Sequence, residues 1–232
     1  MPRACLFLGL NFEKSMSELA KYLEHTVLKP DCSLADVRAL CDTAQQYGLG
    51  GVCVPPFFVR DARRFLGEES KIRLVTVIGF PMGYSAIAAK SEEIKRAIED
   101  GADELDAVVN IAAVKSANWN HVRNDLDSMA RAAQMRGRVL KLILECGLLS
   151  NEEIQEVCKI VGETGIPFVK TSTGFHGHPT TAKMVEFLKA NVPAGVKIKA
   201  SGGIRTAAEA RAMIKAGAER IGTSASVAIV GG

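Results

Sequence analysis

Eight short apolar runs recur along the chain, at residues 24–29, 51–54, 73–80, 104–110, 139–147, 168–173, 196–200 and 220–223. Several are rich in Val and Ile and lack strict polar alternation, as expected of strands buried on both faces. Amphipathic stretches lie between them. Leu34, Val37, Leu40, Cys41, Ala44 and Tyr47 share a helical face, and Gly48 stops that segment. Ser33 with Asp36, Ser150 with Glu153 and Thr206 with Glu209 read as capping boxes. Gly101, Gly137, Gly165 and Gly217 end other helical patterns, and Pro193 blocks a helix from running past Ala190.

Strand–helix alternation of this kind builds either an open doubly wound sheet or a closed barrel. No G-x-G-x-x-G follows the first strand, and the rhythm is even throughout. The expected fold is therefore a single-domain α/β protein, a (β/α)8 TIM barrel. The length of 232 residues suits one such unit. In this architecture the chemistry sits at the C-terminal ends of the strands and on the loops that follow.

Composition narrows the function. The net charge is only +3, and no run of five or six basic residues occurs, so neither nucleic acid nor a membrane surface is an expected partner. Six cysteines show no CxxC pair, which fits reduced thiols and a cytoplasmic location. Residues 1–16 are expected to be a disordered N-terminal extension to a catalytic domain at 17–232. The apolar run at 4–10 is too short to span a bilayer, and Met16 is an alternative start.

The most informative stretch is FVKTSTGF at 168–175. Strand alternation puts Lys170 and Ser172 on the face opposite Val169, pointing into the barrel. A lysine there is either a structural cation held by a carboxylate or a reactive amine, and this stretch alone leaves the choice even. The next strand breaks the tie. Ile198 faces the helices, so Lys197 and Lys199 face inward. Strands lie about 4.8 Å apart, so Lys170 and Lys199 can approach closely, and two like charges in a dry site oppose each other's protonation. An ordinary lysine, with a pKa of about 10.4, is neutral only about once in 2,500 at pH 7. A pKa lower by about three makes roughly 30% of such amines neutral and able to form an imine, for about 4 kcal/mol. Proton transfer needs a further group. In DELDAVVN at 103–110, Glu104, Asp106, Val108 and Asn110 share the inner face. Asp106 can serve as counter-ion, as proton carrier, or as both.

FVKTSTGF, DELDAVVN and KASGGIR at 199–205 together resemble the deoxyribose-phosphate aldolase family. HTVLKPD at 25–31, VCV at 52–54, VIGFPMG at 77–83 and RIGTS at 220–224 fit as well, and the likeness covers roughly residues 20–230. The resemblance implies a class I aldolase with no metal or other cofactor. It would cleave 2-deoxy-D-ribose 5-phosphate reversibly to D-glyceraldehyde 3-phosphate and acetaldehyde, in deoxyribose catabolism. By motif, Lys170 would form the imine, Lys199 would tune it, and Asp106 would move protons. A homo-oligomer is implied on the same basis. The chain departs from the pattern at Glu24, where an aspartate is usual, and at Pro55. It departs again at Ala225-Ser226, where Ser-Gly is common, and in the loop His176-Gly177-His178-Pro179.

Loops after strands seven and eight usually hold phosphate in this architecture. That points to Gly202, Gly203, Gly222 and Ser224, with Gly174 adding an N–H and Arg205 as a possible cation. Glu24, Cys53 and Ser172 are supporting candidates. Lys141 and Glu145 are expected to pair inside the barrel, and His176 and His178 to sit on an exposed loop without a ligand set for a metal. Two other functions share these features: a different phosphate-binding barrel enzyme, and a sugar-phosphate sensor without catalysis.

Overall fold

Runs that are apolar on both faces can satisfy their backbone only beside one another, under a layer of helices. In the computed structural model, which describes residues 16–231, they close on themselves. The strands are β1 (Leu23–Thr26), β2 (Gly51–Val54), β3 (Arg73–Ile78), β4 (Glu104–Val108), β5 (Val139–Ile143), β6 (Phe168–Lys170), β7 (Lys197–Ser201) and β8 (Arg220–Thr223). All pair in parallel and in chain order, and β8 returns to β1. This is the expected (β/α)8 barrel.

The outer layer consists of α1 (Leu34–Tyr47), α2 (Val59–Leu66), α3 (Ile87–Glu99), α4 (Ile111–Lys115), α5 (Trp119–Gln134), α6 (Asn151–Thr164), α7 (Ala182–Asn191), α8 (Ala207–Lys215) and α9 (Ser226–Val230). All three capping boxes form as the sequence indicates, on α1, α6 and α8. Gly48 and Gly165 close α1 and α6 in the left-handed conformation. Among the described residues no helix is long and apolar enough to cross a membrane. Of the expected extension, residues 1–15 lie outside the described residues. Met16 is buried and its Sδ lies 3.6 Å from the Arg211 guanidinium.

Strand alternation divides the apolar residues into two cores. Val52, Val54, Leu105, Ala107, Val169 and Ile198 face the helices in one large cluster. Cys53, Val75 and Val77 face inward in a small one, joined by Leu28 and Phe80.

Several strands end sooner than their apolar runs. β3 stops at Ile78, β4 at Val108, β5 at Ile143 and β6 at Lys170. Burial continues past β4, β5 and β6, with the polar Thr171, Ser172 and Thr173 buried after β6, whereas Gly79 and Phe80 after β3 are partly exposed; in each case the backbone turns away. Gly79 and Glu145 adopt positive φ, and Asn110 leaves the barrel face to cap α4 by accepting from the Ala113 N–H. These early endings release the loops that form the barrel mouth.

Candidate active site

Inside the barrel, six ionisable side chains from five strands meet. Asp106 on β4 is the hub. Its Oδ2 accepts from Lys170 Nζ at 2.8 Å and from Lys199 Nζ at 2.6 Å, and its Oδ1 accepts from Lys141 Nζ at 3.0 Å. Glu24 on β1 accepts a short hydrogen bond from Lys199, and Glu104 lies 2.7 Å from Lys141. Register explains the convergence: Asp106 pairs with Lys141 across β4 and β5, and Lys170 with Lys199 across β6 and β7. Two glycines make room. A Cβ on Gly222 would sit 3.1 Å from Lys199 Cε, and one on Gly51 would sit 3.3 Å from Glu24 Cγ.

Three lysines face three carboxylates here, and two arginines join them: Arg73 lies 3.7 Å from Glu104 and Arg220 3.8 Å from Glu24. Burial alone would raise the pKa of Asp106, but Lys141, Lys170 and Lys199 together hold it well below the ordinary aspartate value. Burial opposes the charge of Glu24 as well, and Lys141 and Lys199 outweigh it, leaving its pKa lowered. Lys199 is desolvated, yet Asp106 and Glu24 raise its pKa above the ordinary lysine value. The expected crowding of two like charges is corrected here: one Asp106 oxygen bridges Lys170 and Lys199, so the two ammonium groups share a counter-ion instead of facing each other unscreened.

The cluster does not open evenly to the outside. Lys141 and Lys199 are completely enclosed, whereas Lys170 retains slight exposure and borders a cavity of about 630 Å³ at the barrel mouth. Gly174, Gly202, Gly203, Gly222 and Ser224 line the same cavity, as do Arg205 and the segment from Thr26 to Pro30. Every residue expected to hold phosphate therefore shares one space with Lys170. Gly202 and Gly203 have φ of 104° and 78°, a conformation that turns the chain sharply after β7. Hydrogen bonds lock the two loop roots together: Ser201 N donates to Thr171 Oγ1 at 3.0 Å, and Ser201 Oγ donates to the Ser172 carbonyl at 2.6 Å.

Some candidates are placed differently. Ser172 and Cys53 lie behind the cavity wall. The Ser172 side chain lies beside Gly202, 3.4 Å from where a Cβ there would sit, and Cys53 belongs to the inner apolar cluster, where burial pushes its thiol up to about 11. Lys197 is exposed and pairs with Glu219 at 3.1 Å, because it is the first residue of β7 and so lies at the end of the barrel away from the mouth. Lys141 does not pair with Glu145. Its partners are Glu104, Asp106 and, at 3.8 Å, Glu24, while Glu145, two residues beyond β5, turns toward Thr173. Sequence reasoning also missed the wall after β1. Its position past a strand's C-terminal end was the available signal. His176 lies 3.9 Å from Glu145, and among the described residues no three His, Cys, Asp or Glu side chains converge as metal ligands.

Known proteins resemble this chain in sequence and fold. The deoxyribose-phosphate aldolase of Thermococcus gammatolerans is 43% identical over 216 residues, covering 93% of this chain and 96% of the relative. That of Thermococcus kodakarensis is 44% identical over the same length. The deoxyribose phosphate aldolase of Aeropyrum pernix, a tetrameric structure, superposes with a TM-score of 0.87 at 31% identity, covering 100% of this chain and 97% of that one. The sequence model of the DeoC/LacD family aldolases matches residues 16–230, the whole of the barrel just described. The chain belongs to the DeoC/LacD family of aldolases.

Proposed function

We propose that this chain is a deoxyribose-phosphate aldolase. It cleaves 2-deoxy-D-ribose 5-phosphate reversibly to D-glyceraldehyde 3-phosphate and acetaldehyde through an imine on Lys170. One observation carries the assignment of the amine. Of the three lysines on Asp106, only Lys170 also borders the cavity.

The chemistry follows from those positions. The neutral Lys170 amine adds to the C1 aldehyde of the open-chain sugar, and loss of water leaves a protonated imine. A base takes the proton of the C3 hydroxyl, the C2–C3 bond breaks, and its electron pair moves into the C1–C2 bond, giving an enamine and glyceraldehyde 3-phosphate. Protonation at C2 and hydrolysis then release acetaldehyde and the free amine. Asp106, in contact with Lys170, is the proton carrier, either directly or through a water. Lys199 holds Asp106 ionised and in place. Gly174, Gly202, Gly203, Gly222 and Ser224, which line the same cavity, receive the phosphate, with Arg205 as a nearby cation. A cytoplasmic homo-oligomer is part of the same reading, which the free cysteines Cys32, Cys41, Cys53, Cys146 and Cys158 and the tetrameric Aeropyrum pernix relative support.

The test is turnover of 2-deoxyribose 5-phosphate beside the unphosphorylated sugar, with both aldehyde products measured. Release of the two aldehydes in equal amounts, with strong preference for the phosphorylated sugar, is expected. Failure to cleave either sugar would remove the assignment.

A further inference from the structure

Glu145 is an anomaly at the mouth that the proposed reaction leaves unused. It has φ 57° and ψ 57°, a left-handed conformation that crowds the Cβ of any residue but glycine. Its side chain is nevertheless buried, at 1% exposure, and points across to the loop after β6. There it accepts from the Thr173 N–H at 3.0 Å and, by a short bond, from the Thr173 hydroxyl. That hydroxyl in turn accepts from the Phe175 N–H at 3.1 Å. The Phe175 ring meets Phe80 edge-on, with centroids 5.1 Å apart, so the relay reaches the loop after β3. Thr173, Gly174 and Phe175 all line the cavity, and Lys170 lies three residues before Thr173.

A glycine would make the turn at 145 without crowding. What the glutamate adds is a pair of acceptor bonds that fix one wall of the cavity. From this we infer that Glu145 is a positioning residue: acting through Thr173, it sets the wall that receives the phosphorylated end of the substrate, without touching substrate itself. Strained backbone at a site edge is a common sign of such preorganisation. The inference rests on the aldolase reading above and extends it to substrate selection.

Four variants separate the carboxylate from the strain: Glu145→Ala, Glu145→Gly, Glu145→Gln and Thr173→Val. Each is assayed with phosphorylated and unphosphorylated deoxyribose, and each is trapped with acetaldehyde and borohydride. Glu145→Ala and Glu145→Gly should raise KM for the phosphorylated sugar roughly tenfold, while kcat and trapping stay within about twofold. Glu145→Gln, which keeps an acceptor oxygen, should recover most of the loss. Glu145→Gly should be more stable than Glu145→Ala yet equally poor in KM. Thr173→Val should reproduce the KM defect, and it carries the same test if the alanine variant does not fold. Unchanged KM in these variants would overturn the inference. So would kcat and trapping falling in step with KM, or a KM restored by glycine. Those outcomes leave the wild-type reaction intact, whereas a wild type that neither cleaves nor traps would remove the aldolase reading itself.

Discussion

Lys90 is as deeply buried as Lys199, and both end on a carboxylate, but their surroundings act in opposite directions. Between α3 and α5, Lys90 donates to Asp125 at 2.7 Å and to the Val108 carbonyl at 3.0 Å. Burial outweighs that single pairing: the pKa of Lys90 is lowered and that of Asp125 raised, each toward its neutral form. In the barrel, attraction outweighs burial. Asp106 has three cations around it and its pKa falls, while Lys199 has two carboxylates and its pKa rises. The comparison shows that a buried lysine is not a functional sign by itself. What distinguishes the barrel cluster is a shared carboxylate and one member, Lys170, that borders a cavity.

Substitutions can break this contrast, and the largest effect should come at the amine. Lys170→Ala should lower kcat/KM by roughly 10⁴-fold or more with the fold intact by circular dichroism, since the proposed reaction takes its imine nitrogen from Lys170. Asp106→Asn should follow, with kcat down by about 10²–10⁴-fold in single-turnover kinetics. Between the helices the damage should appear in stability instead. Lys90→Met should cost about 3–5 kcal/mol in urea unfolding by stranding Asp125, whereas Lys90→Met with Asp125→Leu should be neutral or stabilising. Folded protein of that double variant should keep its kcat. A smaller effect sharpens the role of Lys199. Lys199→Leu takes one of the three cations from Asp106, so the acid limb of the pH–rate profile should move to higher pH by about one unit.

The smallest effect is on acid stability. Glu24 and Asp106 have folded pKa values below their ordinary 4.5 and 3.8. Their stabilising contribution is therefore complete above about pH 4.5 and is lost as pH falls through the lowered values. Asp125 has the opposite sign, because its raised pKa makes ionisation unfavourable to folding. Urea midpoints measured from pH 7 down should fall for the wild type and fall less for Asp106→Asn.

The barrel was legible because its strands are apolar on both faces and its helices carry explicit caps and stops. Lys170, Lys199 and Asp106 were legible because a charge inside such a strand has few explanations. Local pattern failed where register or a turn decides the outcome. Which carboxylate meets Lys141 depends on the alignment of β4 with β5, and alternation along either strand does not encode that alignment. Glu145 was misplaced because its run stays buried after the backbone has turned. The Lys90–Asp125 pair joins two helices 35 residues apart, and neither residue disturbs its own helical pattern enough to be noticed. The glycine wall was found from the architecture's habit of using the loops after β7 and β8, which carries no information about the wall after β1.

Trapping tests the central claim most directly. The protein is incubated with acetaldehyde, reduced with borohydride and mapped by mass spectrometry of its peptides. A single two-carbon adduct on Lys170 is predicted, with Lys141 and Lys199 unmodified. Labelling of Lys199 in place of Lys170, or no adduct under conditions where the sugar phosphate is cleaved, would contradict the account.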